Sequence, residues 1–194
     1  MRFLAVLAVL PATLVSVGAL AADPPVQTSA PAASLTVPRV ISELRLGVFA
    51  HDPTSPESGS VDINGEILTP RLFTLNDPIL GLLVPRLHLG GTVNTAGNTS
   101  HVYTGLTWVF DVTPKIFVEG AAGIAFHNGK TGDLVVPDRV PLGCSPLMRE
   151  SGSIGYRLTD NWRVMATVEH ISNAGTCSRN RGLTNYGVRL GYVF

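Results

Sequence analysis

The chain has 194 residues, only 14% of them charged, and its 14 Lys and Arg balance its 14 Asp and Glu. Proteins that bind nucleic-acid phosphates normally carry a basic excess, so this balance argues against a nucleic-acid partner. The length fits a single domain once the amino-terminal segment is set aside.

The amino-terminal segment has the pattern of an export signal. Residues 1–21 combine a basic start at Arg2, a short apolar run and a cleavage signal at Ala19-Leu20-Ala21, which predicts a secretory signal peptide. Residues 22–39 are rich in Pro, Ala and Ser without periodicity and predict a flexible leader. We therefore expect an exported protein whose folded domain spans residues 40–194.

Beyond residue 40 the recurring pattern is alternation of apolar with polar or small residues, which is typical of β-strands. It is visible in "SELRLGVFAHD", "HVYTGLTWVFDV" and "KIFVEGAAGIAFHNG", and "SGSIGYRLTDNWRVMATVEHIS" reads as a hairpin turning at Thr159–Asn161. The last strand is apolar on one face at Tyr186, Val188, Leu190, Tyr192 and Phe194, and polar or small on the other.

The strand count and the final aromatic indicate a membrane barrel. About eight strands of roughly ten residues match the smallest outer-membrane barrels, and only a closed barrel satisfies every backbone group in lipid. The predicted fold is therefore all-β, an eight-stranded antiparallel outer-membrane β-barrel; a periplasmic β-sandwich fits the same alternation and remains the alternative. Five inward charges are expected to form a salt-bridge network in the lumen: Glu43, Arg45, Glu119, Arg149 and Arg157.

The positions of the cysteines and histidines indicate whether the chain can form a disulfide or a metal site. Cys144 and Cys177 lie in loop-like segments on the same side of the barrel, so an exported chain can join them in a disulfide. Two unpaired thiols are the alternative. His51 and His127 have no zinc-site spacing, so no metal site is expected.

The segment "EHISNAG" places a histidine and a serine two residues apart near the end of a strand. His170 and Ser172 have the same parity as Val164 and Val168, which puts both on the lipid-facing side, where polar groups are costly. Residues i and i+2 of a strand lie about 6.5–7 Å apart, so His170 could act as general base for a Ser172 nucleophile in acyl transfer. The alternative is a polar surface pair at the barrel rim.

"HISNAG" followed by "NRGLTNYGVRLGYVF" resembles the carboxyl-terminal hallmark of the PagL-type lipid A 3-O-deacylases, often labelled acyloxyacyl hydrolases. The resemblance implies an eight-stranded outer-membrane barrel that hydrolyses an ester-linked acyl chain of lipid A, with lipopolysaccharide as substrate and no cofactor. It also implies that His170 is the base and Ser172 the nucleophile, and that Asn173, Gly175 and Asn180 form the oxyanion hole. Ordinary turn chemistry is the alternative for those three loop residues.

The sequence departs from the family at the triad acid. Members with a full triad have Asn-x-Gly-x-Glu, whereas this chain has Thr184 at the glutamate position. Centring the hairpin on Asp160 pairs Glu150 with His170 on the same face, so Glu150 is a possible replacement acid. Its alternative is an ion pair with an arginine at the rim.

Two other functions stay open at this stage. A non-enzymatic small barrel would explain Thr184 as a lost triad residue, and a related hydrolase could act on phospholipid. The sequence leaves the oligomeric state undecided, with a homodimer among the possibilities.

Overall fold

The computed structural model describes residues 40–194; the predicted signal peptide and leader lie outside these residues, and both stay predictions. Elements follow in the order β1 (Glu43–His51), β2 (Ser60–Arg71), α1 (Pro78–Leu82), β3 (Arg86–Asn94), β4 (His101–Asp111), β5 (Ile116–His127), β6 (Lys130–Thr131), β7 (Pro141–Gly143), β8 (Leu147–Arg157), β9 (Trp162–Ser172) and β10 (Leu183–Val193).

Eight of these strands close into an antiparallel barrel in the order β1-β10-β9-β8-β5-β4-β3-β2. Each barrel strand pairs with its sequence neighbours, and β1 pairs with β10, so no edge strand is left within the barrel. The predicted all-β, eight-stranded fold is confirmed. The short strands β6 and β7 form a separate parallel pair within the β5–β8 connection.

The helix α1 was not expected from the sequence. Its five residues are too few to show a helical repeat, and it begins where the Asp77 side chain accepts hydrogen bonds from the backbone N–H groups of Ile79 and Leu80. Among residues 40–194, no helix has both the length and the apolar character needed to cross a membrane.

Strand alternation divides the barrel into an apolar outer wall and a polar interior. On β1, Leu46 is 61% exposed while its neighbour Arg45 is fully buried. On β10, Val188 and Leu190 face outward and Arg189 faces the lumen. A surface that exposes its aliphatic side chains and buries its arginines is suited to lipid rather than to water.

The lumen is filled by a network of buried charges, as the alternation predicts. It contains Arg45 bridged to Glu43, Glu66 and Glu119 at 2.8, 3.0 and 2.7 Å, and Arg149 bridged to Glu169 at 2.8 Å. The prediction for Arg157 is wrong: this last residue of β8 lies beyond the lumen network, where it pairs with Asp111 and donates to the Pro114 carbonyl.

The two barrel ends differ. The "terminal end" carries residue 40, the carboxyl terminus and the connections 72–85, 112–115 and 158–161. The opposite "loop end" carries the connections 52–59, 95–100, 128–146 and 173–182. There, Val140 and Leu142 of the 128–146 connection are fully buried in an apolar cluster with inward residues of the strands, so this connection closes the mouth of the barrel.

Candidate active site

His170 and Ser172 lie at the loop end of β9, on the outer wall of the barrel. Both are half-buried, while Ile171 between them is fully buried in the lumen cluster. Alternation along β9 therefore places both polar side chains on the face that carries Val168, as predicted. Their positions agree with a pair at the lipid-facing rim, and their catalytic roles stay predictions.

The imidazole of His170 is held by the neighbouring strand β10. Thr184 is its register partner, and the Thr184 Oγ1 lies 2.8 Å from His170 Nδ1. A Cβ built on Gly182 would lie 2.6 Å from Cε1 and 3.0 Å from Nε2 of the same ring. The Nδ1 edge thus meets a hydroxyl, and the Nε2 edge packs against Gly182, the residue just before β10.

Glu150 lies on the other side of His170, on β8. The strands pair Glu150 directly with His170, which is the register expected from the Asp160 turn, and both face outward. Glu150 is exposed, and within the described part of the chain it has neither a hydrogen bond to His170 nor an ion pair with an arginine. A cross-strand pair at this spacing, about 4.5–5.5 Å between Cβ atoms, brings its charge close to the imidazole.

The predicted oxyanion residues lie in the 173–182 connection, and they are not equivalent. The Asn173 side chain is buried, donates to the carbonyls of Leu142 and Arg179, and accepts from the Gly175 N–H. Asn180 is exposed, and its Oδ1 accepts from the Asn173 backbone N–H at 3.0 Å, which leaves its amide N–H groups directed away from that bond. Asn173 and Gly175 thus shape the loop, and Asn180 presents a side-chain donor.

A disulfide joins this loop to the preceding long connection. Cys144 and Cys177 are bonded, with their Cα atoms 6.2 Å apart and a sequence separation of 33. The bond links the 128–146 and 173–182 connections beside the His170–Ser172 pair, and Asn173 adds a second link through Leu142. The segment next to Ser172 is therefore anchored at two points.

An open groove of about 680 Å³ begins at Glu150 and His170 and extends over the outer wall. Its floor consists of small residues on facing strands, where Gly120 pairs with Gly152 and Ala122 pairs with Glu150. Trp108 and Val168 form its sides. We call it the catalytic groove, after the role proposed for it below; its lining is mainly apolar, and its polar residues are Ser151 and, at its head, Glu150 and His170.

Two features of the site were missed in the sequence. Gly182 was read only as part of the Asn-x-Gly pattern, yet its lack of a side chain makes room for the His170 ring. The groove floor was not predicted because Gly152 lies on a different strand, far in sequence from Gly120 and Ala122, although "GAAG" and "SGS" are each runs of small residues.

Over residues 40–194, no group of three or more His, Cys, Asp or Glu side chains is arranged to hold a metal ion. His51 instead lies between two carboxylates, with Nδ1 2.8 Å from Asp62 and Nε2 3.0 Å from Glu57. His127 contacts the Cys144 carbonyl through Nε2.

Comparison with known proteins relates the sequence and the fold to a family. A family model described as lipid A 3-O-deacylase (PagL) matches residues 85–193, more than half of the chain. The crystal structure of the outer membrane enzyme PagL superposes with a TM-score of 0.61 at 18% identity, covering 79% of this chain and 100% of that one.

A de novo designed transmembrane β-barrel gives a TM-score of 0.50 at 14% identity, covering 80% of this chain and 96% of that one. No curated protein matches the sequence significantly. The structural likenesses at these identities establish the barrel fold, and the family match goes further: this chain belongs to the PagL family of lipid A 3-O-deacylases and is an outer-membrane β-barrel.

Proposed function

We propose that this protein is a serine esterase that removes an ester-linked acyl chain from lipid A at the outer wall of its barrel. The observation that carries the proposal is His170: it faces outward at the head of an apolar groove, with its ring oriented through Nδ1 and Ser172 two residues away. A hydrolase whose substrate has its acyl chains in the bilayer needs its nucleophile on that wall.

In the proposed reaction, Ser172 Oγ attacks the ester carbonyl while His170 Nε2 takes the serine proton. The ester C–O bond then breaks, and the sugar hydroxyl leaves with that proton. Water attacks the acyl-enzyme with His170 again as base, which releases the fatty acid and restores Ser172. Ester hydrolysis of this kind consumes only water.

Thr184 supports the base without supplying charge. When Nδ1 carries the imidazole proton and donates to Thr184 Oγ1 at 2.8 Å, Nε2 is left unprotonated and able to accept the serine proton. A hydroxyl cannot neutralise the imidazolium that forms next. We assign that role to Glu150, whose carboxylate faces the same groove from the opposite strand.

Asn180 is the favoured oxyanion donor among the three loop residues. Its Oδ1 is bonded to the Asn173 N–H, so the side-chain amide is oriented and its donors remain available for a developing negative charge. Asn173 and Gly175 are assigned to holding the loop in place, because their polar groups already bond within it.

The catalytic groove fits the acyl chain of the scissile ester. Its floor of glycine and alanine leaves a trough between Trp108 and Val168, and its polar head contains His170, two residues from Ser172 in sequence. Apolar walls favour a hydrocarbon chain, and the trough is continuous with the lipid around the barrel.

The test is mass spectrometry of lipid A from cells that express the wild type or Ser172→Ala. We expect one acyl chain to be lost from lipid A only with the wild type, with both proteins present as folded barrels in the outer membrane. Unchanged lipid A with both would support a non-enzymatic barrel, and released fatty acid with intact lipid A would indicate a phospholipid substrate.

A further inference from the structure

A second groove lies beside the catalytic groove on the outer wall. It has two contiguous stretches, of about 530 and 420 Å³, which share Ile154 and Ala166. The stretch of about 530 Å³, which is the one nearer the loop end, also shares Gly152 and Val168 with the catalytic groove. We call the two stretches together the Ala166 groove.

The strand register explains why a trough forms here. Ala166 on β9 has Ile154 of β8 and Val188 of β10 as its cross-strand partners, so a methyl group lies between two larger side chains. One step toward the loop end, Val168 lies between Gly152 and Tyr186. Val168 is consequently the ridge that separates the two grooves, and Gly152 is the low point where they meet.

The lining of the Ala166 groove differs chemically from that of the catalytic groove. Aliphatic and aromatic side chains dominate it, and its polar lining residues are Ser153, Thr167 and the tyrosines 156 and 186. Of the residues in the described range 40–194, none that lines it is charged, whereas Glu150 and His170 lie at the head of the catalytic groove. The Ala166 groove therefore suits a hydrocarbon chain that is held without being cleaved.

We propose that the Ala166 groove binds a second acyl chain of the same lipid A molecule whose ester lies at Ser172. This inference rests on the proposed esterase function. Lipid A carries several acyl chains on one headgroup, and the two grooves are separated only by Val168, so one headgroup at the loop end can direct a chain into each.

Binding two chains of one molecule aligns the substrate. Once one chain occupies its groove, the second binds at the high effective concentration set by the shared headgroup. The occupied Ala166 groove would then fix which ester reaches Ser172 and would favour multi-acylated substrates over single-chain esters. A bulk phospholipid in the same groove would give no such preference.

The test compares Ala166→Leu, which fills the groove, with Gly65→Leu as a control. Gly65 is a small outward position on β2, and a Cβ built there approaches nothing closer than Leu46 Cδ2 at 4.0 Å. Each protein is refolded in detergent, its folded barrel is verified by resistance to unfolding in unheated SDS, and kcat/KM is measured for hexa-acylated lipid A and for a short-chain p-nitrophenyl ester.

We expect Ala166→Leu to lower kcat/KM for lipid A about tenfold, as contact with several methylene groups is lost, while hydrolysis of the single-chain ester is retained. Gly65→Leu should leave both activities unchanged. Equal loss on both substrates, or full activity on lipid A, would overturn the second-chain site while leaving the esterase function intact. A folded wild type that hydrolyses neither substrate would overturn the esterase function and this inference with it.

Discussion

The hydroxyl of Thr184 and the imidazole of His170 are hydrogen-bonded across β9 and β10, with Oγ1 2.8 Å from Nδ1. Thr184 occupies the position where family members with a full triad have glutamate. The bond orients the ring in the way a carboxylate would, so loss of the acidic residue does not leave the histidine unsupported. In the proposed mechanism, the negative charge beside the imidazolium comes from Glu150, the cross-strand neighbour of His170 on the other side.

Replacing Thr184 tests the orienting bond. Thr184→Val keeps the side-chain shape and removes the hydroxyl, so we expect kcat to fall about fivefold, which corresponds to a neutral hydrogen bond of about 1 kcal/mol. KM should change little, because Thr184 contacts the imidazole and does not line the catalytic groove. Steady-state kinetics on lipid A would check this, and an unchanged kcat would show that the bond has no part in catalysis.

Thr184→Glu restores the family residue. A carboxylate at this position can reach Nδ1 and stabilise the imidazolium directly, so we expect kcat to rise above that of the wild type. Steady-state kinetics on lipid A would check this expectation. A drop in kcat with the fold preserved would contradict the assignment of His170 as the base.

Glu150→Gln separates charge from shape. The amide matches the carboxylate in size but cannot stabilise an imidazolium, so kcat should fall about tenfold or more if Glu150 supplies the charge. In the Thr184→Glu background the same substitution should cost much less, because the acid is then supplied from β10. Additive losses in this double-mutant cycle would assign Glu150 to a role independent of the histidine.

Gly182→Ala tests the packing against the imidazole. The new Cβ would lie 2.6 Å from Cε1 and must displace the ring, so activity should be largely lost. Gly97→Ala is the matched control: both glycines have positive φ, 71° and 81°, but nothing lies within 4 Å of a Cβ at position 97. Both variants carry the backbone cost of about 1 kcal/mol, and only Gly182→Ala should lose hydrolysis.

Glu57 is expected to make the loop end sensitive to acid. Burial alone would raise the pKa of this carboxyl, but hydrogen bonds from His51, the Thr99 N–H and hydroxyl, and the Val140 N–H lower it to about 2. A carboxyl whose pKa is depressed on folding stabilises the loops above its unfolded value of 4.5, and that contribution disappears as the pH falls toward 2.

Hydrogen exchange of the 52–59 and 95–100 connections would check this expectation. Protection in the wild type should be constant above about pH 5 and decline below it, after correction for the intrinsic exchange rate. Glu57→Gln should have low protection already at neutral pH, because it loses the charged acceptor. Protection that is equal in the two proteins across the pH range would contradict the role of Glu57.

Much of this protein could be read from the sequence because a barrel wall in lipid imposes a period of two on every strand. That period predicted the outward faces of His170 and Ser172 and the lumen position of Arg45. The tight turn at Thr159–Asn161 was enough to predict the Glu150–His170 pairing, since a short hairpin leaves little freedom of register. The prediction for Arg157 was wrong because alternation indicates whether a side chain faces the lumen or the lipid, but not how far along the barrel axis it lies.

Other features depended on strands that are distant in sequence. The grooves arise where small residues of β5, β8 and β9 come into register, and nothing in any one strand shows which side chains flank Gly152 or Ala166. The hydrogen bond between Thr184 and His170 likewise requires the long 173–182 connection to return β10 in one register. Local alternation thus determined the faces of the strands, and barrel closure decided which residues meet, because lateral contacts depend on pairing across strands that the one-dimensional pattern does not encode.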